Sequence, residues 1–330
     1  HPVFMQVIPN RHKPMVSQLW IFVLFIIFFI LNYLLCESTE LFEIFRMNSS
    51  QKLLSGKPNE KKRCGSREND LILLFLFGKI RHILIMQNRK RIIIVGATSG
   101  LGRGLAECYI SKGCQVGIVG RRSEILAEMA EGRQNVYKMT ADVTDLHTVT
   151  ECLERLRNEM GGMDCLVLCS GVGRMNPELD FNMELPTVDT NVRGWTAVVD
   201  WAFLFFMKQG YGQLAAISSV AGLCGLAPAP AYAASKAYQI HYLESLRQRV
   251  RIAKKKVVVT DIRPGFVRTP LLGHPERLFW VDEPEKAVSA IHKVIESGRA
   301  AAVITRRWAC LAPLMKVAPE WLVAMILRKA

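Results

Sequence analysis

Ile92-Ile-Ile-Val95-Gly96-Ala-Thr-Ser-Gly100-Leu-Gly102 is the stretch on which the fold turns. Ile92 to Val95 are all β-branched and uninterrupted by a polar residue, which reads as a strand buried on both faces. The glycines follow at once, and from Gly102 to Ser111 the pattern becomes helical. Strand, glycine turn and helix in that order aim unsatisfied backbone N–H groups at the turn, a seat suited to pyrophosphate. The expected ligand is therefore a dinucleotide, held by Gly96, Thr98, Ser99, Gly100, Leu101 and Gly102.

Working outward, six more short apolar runs read as strands: Gln115 to Val119, Asn135 to Met139, Met163 to Cys169, Gln213 to Ser218, Lys256 to Ile262 and Ala301 to Thr305. Helical patterns alternate with them, at Glu124 to Ala130, Leu146 to Glu159, Asn191 to Lys208, Tyr232 to Arg251 and Pro284 to Ile295. Leu146, Val149, Leu153 and Leu156 recur at intervals of three and four, which marks one buried helix face. The expected fold is α/β: a Rossmann-like, doubly wound, seven-stranded and mostly parallel sheet with helices on both faces.

The chain has 330 residues, of which 50% are hydrophobic and 22% charged, and this balance excludes wholesale disorder. The net charge of +14 invites a nucleic-acid reading. Its basic runs, Lys61-Lys62-Arg63 and Lys254-Lys255-Lys256, are isolated rather than laid out as a stripe with aromatics, so no nucleic-acid partner is expected. The nine cysteines follow no metal-ligand spacing. Cys108, Cys114, Cys152, Cys165, Cys169 and Cys224 read mostly as small buried thiols, and no metal site is expected.

Three segments are expected: an extension at 1–85, a catalytic body at 86–305 and a tail at 306–330. Leu19 to Cys36 is 18 residues without a charge, enough to span a bilayer or act as an uncleaved signal anchor; a cleaved signal or a buried helix is the alternative. Basic residues lie on both sides of it, so its orientation is ambiguous. Residues 37–85 carry little organisation, and the strand pattern begins only after Met86. Met86 accordingly reads as a start of translation, with 1–85 as upstream sequence, and peptides recovered from residues 20–60 of the native protein would refute this.

At the cofactor end, the second strand runs into Gly120-Arg121-Arg122. No acidic residue stands there to grip a ribose diol, whereas the two arginines suit a ribose phosphate. NADP(H) is expected in preference to NAD(H). Asp142, beside Val143, is placed either to accept from an adenine amino group or to cap the next helix. Gly171 and Gly173 follow the fourth strand and allow close backbone approach.

At the chemical end, Ser218-Ser219 closes a strand and Tyr232 precedes Lys236 by four residues on a helix, so phenol and ammonium share a face. Reducing a carbonyl needs a proton for the developing alkoxide; a tyrosine can give it where positive charge stabilises the phenolate. Ser219 would orient the substrate oxygen, and Asn191 would hold a water that returns protons through Lys236.

These residues resemble the short-chain dehydrogenase/reductase family over most of Met86 to Thr305. Classical members carry Thr-Gly-x-x-x-Gly-x-Gly, Asn-Asn-Ala-Gly, a serine, Tyr-x-x-x-Lys and a later Pro-Gly. The resemblance implies a tetrad of Asn191, Ser219, Tyr232 and Lys236, with Ser219 preferred over Ser218 because it lies 13 residues before Tyr232. It also implies cofactor contacts from Ser170, Gly171, Pro264, Gly265, Val267 and Thr269, and from Tyr232 and Lys236 themselves. Two departures stand out: Val95 replaces the leading threonine, and Leu168-Cys169-Ser170-Gly171 replaces the asparagine pair that ties the fourth strand to its neighbours.

The resemblance further implies an NADPH-dependent reduction of a carbonyl to a secondary alcohol, in a homodimer or homotetramer. Similarity to bacterial reductases and to the 3-ketodihydrosphingosine reductase group points to a long-chain 3-keto lipid; a 3-oxoacyl or steroid carbonyl is the alternative, and an NADP(H)-binding sensor or scaffold the non-enzymatic one. Val220 to Ala231 is small and apolar, and Leu271, Leu272, Leu278, Phe279 and Trp280 form a hydrophobic stretch suited to a lid, which favours an apolar acceptor. In the tail, Trp308, Leu311, Leu314, Met315, Val317, Trp321, Leu322, Met325 and Ile326 among basic residues suit an interfacial hairpin, with core or subunit packing as the alternative. The address expected is cytoplasmic, or membrane-associated on the cytoplasmic side.

Overall fold

Seven strands form one sheet in the order β3-β2-β1-β4-β5-β6-β7. They are β1 (Arg91–Val95), β2 (Gln115–Gly120), β3 (Val136–Thr140), β4 (Cys165–Leu168), β5 (Tyr211–Ile217), β6 (Lys256–Pro264) and β7 (Ala301–Ile304). The computed structural model describes residues 89–272 and 280–329. The anchor at Leu19–Cys36, the start at Met86, the extension 1–85 and the lid residues Leu278 and Phe279 lie outside the described residues. All six ladders are parallel, so the sheet is wholly parallel and not merely mostly so.

The reason lies in the connections, each long enough for a crossover helix. These helices are α1 (Gly100–Ser111), α2 (Ser123–Ala130), α3 (Leu146–Glu159), α4 (Phe181–Val188), α5 (Trp195–Gln209), α6 (Pro230–Ile252) and α7 (Pro284–Glu296). After β7 come α8 (Arg306–Val317) and α9 (Glu320–Lys329). Period-two alternation divides β1 between two cores. Ile93 and Val95 join a cluster with Leu153, Phe203 and Leu243 from α3, α5 and α6. Ile92 and Ile94 join another with Leu105, Leu126 and Ile291 from α1, α2 and α7. Helices thus cover both faces, as the double winding requires.

The first strand, β1, lies in the middle of the sheet; the chain then winds outward to β3 and returns to place β4 beside β1. This reversal opens a crevice at the carboxyl ends of β1 and β4, the position where open α/β sheets bind ligands. Sequence pattern missed α4, because Pro186 removes a backbone donor from its interior. Asp180 nonetheless caps it by accepting from the Asn182 N–H at 2.9 Å, and the backbone then widens into a π-helical segment, Asp189–Gly194, before α5.

Candidate active site

The glycine turn stands at the reversal. Gly96 and Ala97 both donate to Val119 O, at 2.8 and 3.0 Å, and Gly96 has φ +89°. A Cβ at Gly96 would lie 2.7 Å from Ser170 N, and one at Gly102 would lie 2.1 Å from Gly96 O. Both positions therefore demand glycine. Gly100 faces Thr269, whose Cγ2 lies 3.3 Å from where a Cβ would stand, so the segment after β6 closes over the first turn. The amino end of α1 has no side-chain cap from Ser99 and no acid in its first turn. Its N–H donors and dipole fit a pyrophosphate.

Around this turn the predicted cofactor residues occupy distinct places. Thr98 is buried and accepts from Arg122 Nη2 at 2.8 Å and Nε at 3.2 Å. Arg121 is exposed and lies 3.5 Å from Asp142 Oδ2. Asp142 does not cap α3; that cap is Asp145, accepting from Thr148 N at 3.1 Å. Instead Asp142 Oδ1 accepts from Thr144 N and Oγ1, at 3.0 and 2.9 Å. Burial would raise its pKa, but the Thr144 bonds and Arg121 outweigh burial and hold the carboxyl below its ordinary value. Val143 and Val267 are buried, Val267 pairing with Asp282 in an isolated bridge.

The unusual Leu168-Cys169-Ser170-Gly171 stretch keeps its tie to the sheet through the backbone, with Cys169 N donating to Val95 O at 2.8 Å. Of the six cysteines read as buried thiols, Cys152 and Cys165 are buried and the other four half-buried. Gly173 lies against the Tyr232 ring, where a Cβ would come within 2.4 Å of Cδ2. A Cβ at Gly171 would likewise lie 3.3 Å from Lys236 Nζ and 3.4 Å from Asn191 Oδ1. The loop after β4 and the residues of α6 thus meet at one place.

Asn191 sits in the π-helical segment, fully buried. Its side chain pins the loop after β4: Nδ2 donates to Val172 O at 2.7 Å and Ser235 Oγ at 3.0 Å, while Oδ1 accepts from Val172 N at 2.9 Å. Ser219 is buried at the end of β5, accepting from Ala221 N at 3.1 Å and donating to Pro264 O at 3.5 Å. Tyr232 is half-buried in the first turns of α6. Burial raises its phenol pKa, and a hydrogen bond with Ser219 draws it back down.

Lys236 is only 3% exposed, and its ammonium donates to Ile217 O at 3.1 Å and Gln239 Oε1 at 3.0 Å. Burial lowers its pKa to about 8, against the opposing pull of Asp261. Asp261 is itself buried and held by Ser218 Oγ and by Arg263 Nη2, the latter at 2.7 Å. Sequence reading missed Gln239, which donates through Nε2 to Asn191 O at 2.9 Å and so stands between the two residues expected to share a water. Its signal was present: position 239 follows 232 and 236 on one helix face.

The sequence is matched by the short chain dehydrogenase family over residues 90–276. This chain belongs to the short-chain dehydrogenase family. An uncharacterized oxidoreductase of Mycobacterium tuberculosis is 32% identical over 244 residues, 70% of this chain and 94% of that one. Another from Myxococcus xanthus is 36% identical over 185 residues, 54% of this chain and 72% of the relative. Among solved structures, serine dehydrogenase in its closed form with NADP+ matches with TM-score 0.60 and 25% identity, covering 64% of this chain and 93% of that one. A variant of actinorhodin polyketide ketoreductase with NADPH gives TM-score 0.59 at 22% identity, covering 66% and 96%, a likeness of fold. This short-chain dehydrogenase is an NAD(P)-dependent oxidoreductase with a Rossmann-like sheet.

The tail departs from a free hairpin. Trp308 of α8 is buried, and a Cβ at Gly265 would fall 2.2 Å from its Cδ1. Phe266 and Trp280 meet the same indole edge-on, with centroids 5.2 and 5.9 Å away. Helix α8 also packs on β7 and on the short turn Val220–Leu223. Leu314, Val317, Trp321 and Met325 stay exposed. Among the described residues, no helix is long and apolar enough to cross a membrane, and no cluster of ligating side chains is suited to a metal.

Proposed function

We propose that this protein is an NADPH-dependent reductase converting the carbonyl of an apolar substrate, such as a long-chain 3-keto lipid, into a secondary alcohol. The observation that carries the reading is the buried Lys236 ammonium 5.7 Å from the ring of Tyr232, one turn earlier on the same helix, with buried Ser219 at the end of β5. Ser219 orients the substrate oxygen and Tyr232 gives it a proton. The Lys236 charge stabilises the phenolate that remains, and Asn191 fixes the loop facing them. Bound NADPH supplies the hydride.

The glycine turn of Gly96, Thr98, Ser99, Gly100, Leu101 and Gly102 is proposed to hold the diphosphate, and Thr269 the adjoining amide, with Ser170, Gly171, Pro264, Gly265 and Val267 lining the remaining approach. Exposed Arg121 with its partner Arg122 favours the extra ribose phosphate of NADPH. Asp142 and Val143 flank the adenine. An open groove of about 570 Å³ lies beside α6, lined by Leu223, Cys224, Leu226, Ala227, Pro230 and His241 among others; Ser219, Tyr232 and Lys236 are not in its lining, so support for an apolar acceptor comes from the small apolar stretch Val220 to Ala231 that follows Ser219.

The exposed apolar residues of α8 and α9 stand beside exposed Arg306, Arg307 and Lys316, which supports docking to an anionic lipid surface. A homodimer or homotetramer is carried by the family resemblance alone, since the aromatic rings of Trp195, Tyr238 and Tyr242 pack on one another between α5 and α6 within the protomer. The body 86–305 is then the enzyme and 306–330 its lipid-facing tail. An NADPH-consumption screen of ketones that includes long-chain 3-keto lipids, with Tyr232→Phe as the blank, tests the function: turnover of a lipid ketone by the native protein alone is expected. Equal turnover by both proteins would reject it.

A further inference from the structure

Tyr232, Lys236 and Gln239 succeed one another along one face of α6, at intervals of four and three residues. The tyrosine and lysine carry the chemistry of the proposed function, and any role for Gln239 rests on that reading. Gln239 has no part in the chemistry, yet it is fully buried and both ends of its amide are engaged. Oε1 accepts from Lys236 Nζ at 3.0 Å and Nε2 donates to Asn191 O at 2.9 Å. Burying a carboxamide is costly unless it is hydrogen-bonded, and Ile240 and Leu243 show how readily this part of the helix takes aliphatic side chains. An amide retained here, with a cation on its oxygen, calls for a reason beyond filling space.

The surroundings of Lys236 supply one. Asp261 faces it from β6, but that carboxylate is shared with Arg263 and Ser218. Cys169 faces it from the loop after β4, and burial keeps this thiol protonated by pushing its pKa up to about 12. The Tyr232 ring lies 5.7 Å from Nζ on its own helix, and Asn191 stands on the π-helical segment. Among the described residues, the neutral acceptors that hold the ammonium are Ile217 O and Gln239 Oε1. They occupy two of its three N–H bonds and leave the third for the reaction side.

We propose that Gln239 is the positioning residue of the proton-transfer group, tethering the Lys236 ammonium to the Asn191 backbone so that the lysine stays cationic and fixed beside Tyr232. A carboxamide neither gains nor loses a proton near neutral pH, so Gln239 acts through the lysine and not as a proton carrier. The hydrogen bond to its oxygen favours the charged amine and offsets part of the desolvation.

The lysine itself provides the readout, independent of substrate and cofactor. Protein labelled with carbon-13 at lysine Cε is titrated by NMR, with Lys236→Met assigning the buried resonance. Gln239→Leu is expected to lower the Lys236 midpoint by about one pH unit, a tenfold change in acidity. Gln239→Glu, which sets a carboxylate against the ammonium, is expected to raise it, and decides the matter should the leucine variant fail to fold. Midpoints within a few tenths of the native value in the folded variants would overturn the proposal. Turnover retained by Tyr232→Phe would instead strike at the proposed function and leave the lysine titration to judge Gln239 alone.

Discussion

Two cations of the proposed site, Arg121 just after β2 and Lys236 on α6, are treated in opposite ways. Arg121 stands 67% exposed with a loose partner 3.5 Å away, whereas Lys236 is sealed at 3% exposure and bonded to two acceptors. A charge that recognises a phosphate works from the surface, where desolvation is small and the side chain can swing. A charge that tunes an acid must be near the reacting atoms and shielded from water, since only there does it move a neighbour's pKa. The exposed end is accordingly open to exchange by mutation, and the buried end is held by contacts from β5, β6 and the π-helical segment.

The contrast breaks most visibly at the phenol. Tyr232→Phe should lower turnover on the order of 10²- to 10⁴-fold while NADPH affinity, read by fluorescence titration, stays near native. A fall in affinity of the same size would mean that the two ends are not separable. Next in size is the wall shared by the tail and the turn after β6. Trp308→Ala should cost about 3–5 kcal/mol of stability in denaturant unfolding, because the indole is buried on Gly265 and two aromatic rings.

A smaller effect belongs to the exposed end. Removing both Arg121 and Arg122 should raise the KM for NADPH about tenfold or somewhat more and leave that for NADH nearly unchanged. The native preference should also shrink as salt is added, because exposed charges are screened. Equal losses for both cofactors would assign the arginines to general packing instead. The pH response sharpens the same comparison with the gentlest slope. Burial brings the Lys236 pKa down to about 8, so the ammonium is present below that value and lost above it. Reduction should therefore decline as pH rises through this region, and Lys236→Met should remove that limb from the profile of whatever rate remains.

Strands were legible where the apolar run is unbroken, as in β1, which contains the whole of the expected Ile92 to Val95 run, and less so where it is interrupted, as in β3 by Lys138 and in β6 by Thr260 and Asp261. Helix α4 was not, since Pro186 contradicts a local helical reading that Asp180 and the flanking π-helical segment nevertheless sustain. The glycines, Ser219, Tyr232 and Lys236 were visible as fixed spacings. What those spacings omit is lateral: Gln239 matters through Asn191, 48 residues earlier, and Gly265 through Trp308. Sequence separation hides such contacts until the sheet brings them together. The tail's composition suits an interface along its whole length, while Trp308 and Ala312 of α8 are buried against the body and Leu314 and Val317 of the same helix stay exposed.

Thr269 against Gly100 has a consequence for how the molecule is made. The first turn is synthesised early, but the wall opposite it emerges only after β6. A nascent chain halted between them would own the proposed phosphate cradle with one side missing, so retention of nucleotide would serve as a clock hand marking the moment when early and late halves have met.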